Sequence, residues 1–260
     1  MKTRIIAGLC MVPLLAIVYL GGYWLIGAAF LIGLIGLKEF YEGFTNMGYK
    51  PAFVVGYGSL FVLYMIQLWS PNNFSLVMLW LFLSVMASGL YLFKIEERKV
   101  EDALCTAIGI VYVVFFSFHI ALIADSPDLE IMIWIVLIAS FATDIFAYFS
   151  GYFFGNKKLC PNLSPKKTWA GAIGGTLGSV ICCGAFGYFV MPDLLIHCLV
   201  IGLVGAVFAQ FGDLTASAFK RKMGIKDYGN LIPGHGGIMD RFDSVIMVAP
   251  VVYYYMTFVM

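Results

Sequence analysis

Residues 131–154 read IMIWIVLIASFATDIFAYFSGYFF, an apolar run whose one charged residue is Asp144. A helix needs about 20 apolar residues to cross the hydrocarbon core of a bilayer, so this run predicts a transmembrane helix. Similar runs fill most of the 260-residue chain, of which 62% is hydrophobic and only 12% charged. Soluble domains carry about 25% charged residues. The composition therefore predicts an integral membrane protein, and it disfavours a soluble α/β enzyme, a disulfide-stabilised secreted domain and a nucleic-acid binder.

The apolar runs are separated by connections rich in Pro, Asn and Asp, such as Ser70-Pro71-Asn72-Asn73 and Met191-Pro192-Asp193. These residue types favour turns and end helices. The predicted fold is all-α: a polytopic transmembrane helix bundle of about nine spans, forming a single integral membrane domain over residues 1–260. The predicted spans cover roughly residues 5–20, 23–37, 53–69, 74–93, 103–124, 129–154, 171–191, 194–219 and 242–259.

The positive charges predict how these spans are oriented. All 16 Lys and Arg residues fall in the N-terminal segment or in every second connection after it, and the connections between carry none. Because Lys and Arg concentrate in cytoplasmic connections, the N-terminus is predicted to be cytoplasmic and the C-terminus external. The single compact domain predicts a multi-pass protein of a bacterial cytoplasmic (inner) membrane.

Two acidic residues lie inside predicted spans. Asp144 is about ten residues from the cytoplasmic end of its span, or ~15 Å deep, and Asp213 is about six residues, or ~9 Å, from the end of its own. A carboxylate at such a depth is energetically costly and usually faces a cavity, a cation or a polar partner. A hydrogen bond between helices is the structural alternative. Both acids, however, lie below the two most basic cytoplasmic segments, which favours a functional role.

The segment between the eighth and ninth spans combines cations, glycines and acids. Four of the seven residues from Lys220 to Lys226 are Lys or Arg, and Pro233-Gly234-His235-Gly236-Gly237 follows. Glycines let backbone N–H groups approach an anion closely. Asp240 and Asp243 then come at the predicted start of the ninth helix. Carboxylates beside such a turn indicate a site for Mg²⁺ and a polyphosphate, because Mg²⁺ binds one or two carboxylates together with phosphate oxygens.

Residues 217–243, here called the signature segment, read S-x-F-K-R-x₄-K-D-x-G-x₂-I-P-x-H-G-G-I-x-D-R-F-D. This pattern resembles the signature of the phosphatidate cytidylyltransferase (CDP-diacylglycerol synthase) family. The similarity continues upstream in Asp144, Ala147-Tyr148 and Leu163–Trp169, although Ala170 stands where the family commonly has Glu. It covers roughly the C-terminal half. Residues 129–260 are therefore expected to carry the catalytic site, and residues 1–128 to serve mainly as scaffold.

This resemblance implies a nucleotidyltransferase of phospholipid biosynthesis that converts CTP and phosphatidate into CDP-diacylglycerol and diphosphate. The implied metal ligands for Mg²⁺ are Asp213 and Asp240, with Asp144, Asp243 and a second metal ion as further candidates. The implied catalytic cations are Lys220, Arg221, Lys226 and Arg241. The implied substrate-binding residues are Ser164, Lys166, Lys167, Thr168, Ser217, His235, Gly236 and Gly237. The implied partners are CTP, phosphatidic acid and membrane lipids but no nucleic acid, and a homodimer is left open.

Three other functions remain open from the residues themselves. An enzyme that uses CTP on another lipid, such as a polyprenol or an archaeal-type lipid, would need the same charged groups. An ion-coupled transporter would explain acids in spans but predicts repeated halves, which the sequence lacks. A non-catalytic scaffold for anionic lipids would need the basic cluster alone. The acidic residues at Glu39, Glu42 and 96–102 are expected to form solvated surfaces.

Overall fold

The computed structural model describes residues 13–231 and 236–259 of the chain. Residues 13–20 are helical, and a series of longer helices follows. These are α1 (Gly22–Asn46), α2 (Phe53–Trp69), α3 (Phe74–Leu90), α4 (Val100–Gly109), α5 (Phe116–Ala124), α6 (Met132–Phe154), α7 (Trp169–Val190), α8 (Leu195–Lys222) and α9 (Met239–Val259). A π-helical stretch, Ile110–Phe115, joins α4 to α5, so residues 100–124 form one continuous span.

The helices confirm an all-α, polytopic membrane protein. Seven of the helical segments in the described ranges are long and apolar enough to cross a membrane, and α2 is a shorter apolar helix of 17 residues. They follow the predicted spans in order from the second onward. The first half of the first predicted span, residues 5–12, lies outside the described residues, and residues 13–20 are helical.

The boundaries differ from the prediction in two places. α1 continues to Asn46, well beyond the predicted end near residue 37, because Phe40, Tyr41 and Phe44 keep one face of the helix buried. Charged residues at positions 38, 39 and 42 lower the hydropathy there without interrupting the helix. Between α6 and α7, a small antiparallel hairpin pairs β1 (Lys158–Cys160) with β2 (Ser164–Thr168).

The chain divides into two compact units. The first contains the described residues up to Pro127 together with those of Lys222–Phe242. Polar side chains tie its helices together: the hydroxyl of Tyr41 donates to the carbonyl of Thr106 at 2.8 Å. The buried carboxylate of Asp102 accepts from the backbone N–H groups of Lys50 at 2.7 Å and Lys99 at 3.0 Å. The expectation that this acid is solvated is therefore wrong.

The second unit contains Asp128–Arg221 and Asp243–Met260. Its helices α6 and α7 pack backbone against backbone, since a Cβ atom at Gly175 would lie 2.7 Å from the carbonyl oxygen of Thr143. The buried hydroxyl of Ser179 donates to the carbonyl of Gly202, 2.9 Å away on α8. Small residues permit this close approach in membrane proteins, where the bilayer offers little hydrophobic drive for helix association. The tight packing places α6, the hairpin and α8 around one cavity.

Candidate functional site

A cavity of about 570 Å³ opens in the second unit. Its lining comes from α6, the β-hairpin, α7 and α8, and combines charged, hydroxyl and aromatic side chains. The lining includes Asp144, Tyr148, Tyr152, Lys158, Ser164, Lys166, Lys167, Thr168, Gln210 and Asp213. The structure thus brings six of the predicted site residues together: Asp144, Ser164, Lys166, Lys167, Thr168 and Asp213.

The β-hairpin carries the cations of this cavity. The short strand β2 places Ser164, Lys166 and Lys167 in the lining. Its last residue, Thr168, is buried and caps α7, because its side-chain oxygen accepts the N–H of Gly171 at 3.1 Å. The hairpin is therefore anchored directly to the helix that follows, which holds the lysines over the cavity.

Lys167 and Asp213 form an ion pair with 2.6 Å between Nζ and Oδ2. Their side chains are 24% and 33% exposed, so the pair is partly shielded from water. The hydroxyl of Ser217 lies one helical turn further along α8, 3.4 Å from Oδ1 of Asp213. Asp213 thus already faces a cation, as predicted for a carboxylate inside a span.

Asp243 is buried at the start of α9, where Asp213 and Asp144 act on it electrostatically. Lys220 also acts on this carboxylate. The backbones of α8 and α9 meet here, since a Cβ atom at Gly212 would lie 2.6 Å from the carbonyl oxygen of Asp243. Two acids that act on a third, buried one favour the binding of a cation. Within the described ranges, however, no three His, Cys, Asp or Glu side chains form a ready-made metal centre.

The described residues of the signature segment between Lys222 and Phe242 lie in the first unit, where Asp240 binds the backbone. Its Oδ2 accepts from the backbone N–H groups of Tyr228 at 2.8 Å and Gly237 at 3.0 Å. Gly236 adopts a φ of +83°, and a Cβ atom there would lie 2.7 Å from this oxygen. One of the predicted glycines, Gly236, therefore lets the backbone fold around Asp240.

The remaining predicted cations, all within the described ranges, are not in the lining of the cavity. Lys226 and Arg241 are exposed in the first unit, and Arg221 is exposed near the end of α8 in the second. His235 lies outside the described residues. The sharing of one metal ion by Asp213 and Asp240 stays a prediction.

Sequence reasoning missed several polar residues, including Lys158 in the cavity lining. Glu39, expected to be solvated, is only 5% exposed and accepts from the backbone N–H groups of Ile238 at 3.0 Å and Met239 at 2.9 Å, so that expectation is wrong. Gln210 donates to Oγ1 of Thr176 at 3.0 Å and lines the cavity. One signal for Glu39 was available: it lies three residues after Gly36 and four before Gly43, on the same helix face as these glycines.

The comparisons with known proteins cover nearly the whole chain. The model of the cytidylyltransferase family matches residues 2–259. A phosphatidate cytidylyltransferase of Staphylococcus haemolyticus is 36% identical over 95% of this chain and 94% of its own length. Those of Pseudomonas aeruginosa and Thermotoga maritima are 33% and 32% identical, over 96% and 97% of this chain and 95% of each relative. The chain therefore belongs to the cytidylyltransferase family.

Proposed function

We propose that this protein transfers the cytidylyl group of CTP to phosphatidate in a bacterial cytoplasmic membrane. A phosphate oxygen of the lipid forms a bond to the α-phosphorus of CTP. The bond from that phosphorus to the oxygen bridging it to the β-phosphorus breaks, and diphosphate leaves. CDP-diacylglycerol is the lipid product. The named relatives, similar over nearly their full length, support the choice of nucleotide and lipid.

The observation that carries the proposal is the cavity that places Lys166, Lys167 and Asp213 together. A phosphomonoester has a second pKa of about 6, so the attacking oxygen is already anionic near neutral pH and needs no strong general base. The chemical difficulty is the repulsion between two polyanions. Catalysis then depends on positioning and on neutralising phosphate charge, which is what clustered lysines accomplish.

The donor set of the second unit fits Mg²⁺. Asp213, Asp144 and Asp243 offer the hard oxygen atoms that Mg²⁺ prefers, and Asp213 and Asp144 act electrostatically on Asp243. The ammonium of Lys167 lies 2.6 Å from Asp213, so a positive charge is already favoured at this carboxylate. In this proposal Asp213 and Asp240 would hold the metal, and Asp144 and Asp243 are further candidates. When bound, Mg²⁺ supplies neutralisation of phosphate charge. Lys166, Lys167, Lys220, Arg221, Lys226 and Arg241 bind phosphate oxygens, while Ser164, Ser217 and Thr168 offer hydroxyl groups.

The proposal is tested with purified protein in detergent micelles, given Mg²⁺, phosphatidic acid and CTP labelled at either the α- or the γ-phosphate. We expect the α-label to enter the lipid and the γ-label to leave as diphosphate. A CTP-dependent lipid kinase gives the opposite pattern, with the γ-label in the lipid and the α-label in CDP.

The choice of lipid needs a second arm. Polyprenol, polyprenyl phosphate and an ether-linked archaeal-type lipid phosphate are offered in place of phosphatidic acid. If any of these lipids reacts faster than phosphatidic acid, that lipid and not phosphatidate is the substrate. Absence of CTP-dependent labelling with every lipid would overturn the proposal and favour the transporter or scaffold alternatives.

A further inference from the structure

One face of α1 forms a docking surface for the signature segment within the first unit. A Cβ atom at Gly36 would lie 3.0 Å from Sδ of Met239, and Gly43 packs against Met223. The ring of Phe40 lies 6.1 Å from that of Tyr228 between centroids. Glu39 lies among these residues on α1. The N-terminal part of the chain therefore contacts the signature segment directly.

The carboxylate of Glu39 is the polar centre of this surface. Its Oε1 accepts the N–H of Ile238 at 3.0 Å, and its Oε2 accepts the N–H of Met239 at 2.9 Å. These are N–H groups at the beginning of α9, which a helix cannot satisfy by itself. A negative charge is favoured there by the helix dipole as well. Glu39 thus caps the start of α9, although it lies 199 positions before Ile238 in the sequence.

Two glycines of the segment make room for this carboxylate. A Cβ atom at Gly237 would overlap the carboxylate of Glu39, and one at Gly229 would crowd its Oε1. The N–H of Gly237 is meanwhile held by Oδ2 of Asp240 at 3.0 Å. Glu39 and Asp240 therefore bind consecutive backbone N–H groups, at residues 237, 238 and 239, and together determine the path of the chain into α9.

We propose that Glu39 is a positioning residue for the nucleotide half of the reaction: its carboxylate holds the start of α9 and so sets where Asp240 and Arg241 lie. This inference rests on the proposed function, which assigns those two side chains to metal and phosphate binding. Glu39 itself touches backbone groups only, so it acts through the segment and not on the substrate. Its loss should weaken the use of CTP more than the use of phosphatidate.

The decisive variant is Glu39→Gln, which keeps the size of the side chain but replaces one acceptor oxygen by an NH₂ group facing a donor. A residue that only fills space would tolerate this change. We expect the half-saturating concentration of CTP to rise about tenfold, the loss typical of one hydrogen bond to a charged group, with that of phosphatidic acid nearly unchanged. We also expect faster hydrogen exchange at the amides of residues 237–240.

Two matched controls separate positioning from general stability. Glu42→Gln alters an acid on the same helix that is 53% exposed and paired with Lys38, and it should change neither readout. Asp102→Asn alters another buried carboxylate that accepts two backbone N–H groups, at Lys50 and Lys99. It should lower the thermal stability. The half-saturating CTP concentration and the hydrogen exchange at the amides of residues 237–240 should stay as in the parent protein.

If Glu39→Gln does not fold, Gly237→Ala disturbs the same contact from the other side and should give the same two effects. The proposal is overturned if the folded variant has the same amide exchange rates and the same half-saturating CTP concentration as the parent protein. The exchange measurement needs no substrate. A parent protein that makes no CDP-diacylglycerol would therefore refute the proposed function while the contact of Glu39 is still tested.

Discussion

The ammonium of Lys167 lies 2.6 Å from the carboxylate of Asp213, so a cation of β2 meets an acid that belongs to a membrane-spanning helix. The pair explains how this acid is tolerated inside α8, since a neighbouring positive charge offsets the cost of burying it. It also places Lys167 where a metal ion is expected to bind. The lysine and the metal ion should therefore compete for Asp213 in the substrate-free protein.

Replacing Lys167 tests this competition. In Lys167→Met, we expect Mn²⁺, used as a probe for Mg²⁺, to bind the substrate-free protein about fivefold more tightly, because a partly exposed ion pair contributes about 1 kcal/mol. The transfer of the cytidylyl group should become slower nonetheless, since a phosphate-binding cation is lost. Electron paramagnetic resonance of free Mn²⁺ measures the binding.

Lys166→Met is the control for the preceding variant, because Lys166 is the exposed neighbour of Lys167 and also lines the cavity. It removes the same charge without touching Asp213. Mn²⁺ affinity should stay close to that of the parent protein. Equal Mn²⁺ affinities in Lys167→Met and the parent would show that the ion pair does not compete with the metal.

Asp213 itself should be required for turnover. In Asp213→Asn, we expect the rate with saturating CTP and phosphatidic acid to fall by at least about 100-fold, the scale found when one preorganised charge-stabilising group is removed from an active site. The melting temperature in detergent should change little. Asp193→Asn, in the short 3₁₀ turn Pro192–Leu194, is the matched control and should keep full activity. Rates alike in these two variants would exclude Asp213 from the reaction.

The sequence predicts the helices well, because the part of a helix that crosses the bilayer is predominantly apolar and this property is local. It also predicts two of the three lysines that line the cavity, since Lys166 and Lys167 belong to a recognisable motif, whereas Lys158 does not. The role of Glu39 could not be predicted, because the N–H groups it binds are 199 and 200 residues further along the chain. The hairpin was missed as well, since strand β2, read as SPKKT, lacks the alternation of apolar and polar residues typical of strands.

The close packing of α6 and α7 should limit the size of the residue at position 175. In Gly175→Val, the new side chain meets the carbonyl oxygen of Thr143, so we expect a loss of about 1–3 kcal/mol of stability from overpacking. Activity should fall too, because α6 carries Asp144 into the cavity. Thermal unfolding in detergent measures the stability. Gly58→Val in α2, where a Cβ atom meets nothing within 4 Å, should unfold at nearly the parent temperature.

Two glycines with nearly the same φ angle allow the effect of backbone strain to be separated from the effect on function. Gly236 has a φ of +83° and Gly48 a φ of +85°, and alanine should cost each about 1–2 kcal/mol of stability, because L-residues are disfavoured in this region.

Only the Cβ atom at Gly236 would lie against Oδ2 of Asp240, which accepts the N–H groups of Tyr228 and Gly237, while that at Gly48 meets nothing within 4 Å. Both variants should melt earlier, Gly236→Ala by at least as much as Gly48→Ala, but only Gly236→Ala should need about tenfold or more CTP to reach half its maximal rate. Melting curves and CTP titrations of the two proteins provide the comparison. If the half-saturating CTP concentration of Gly48→Ala rises to the same degree, the effect is due to backbone strain and not to Asp240.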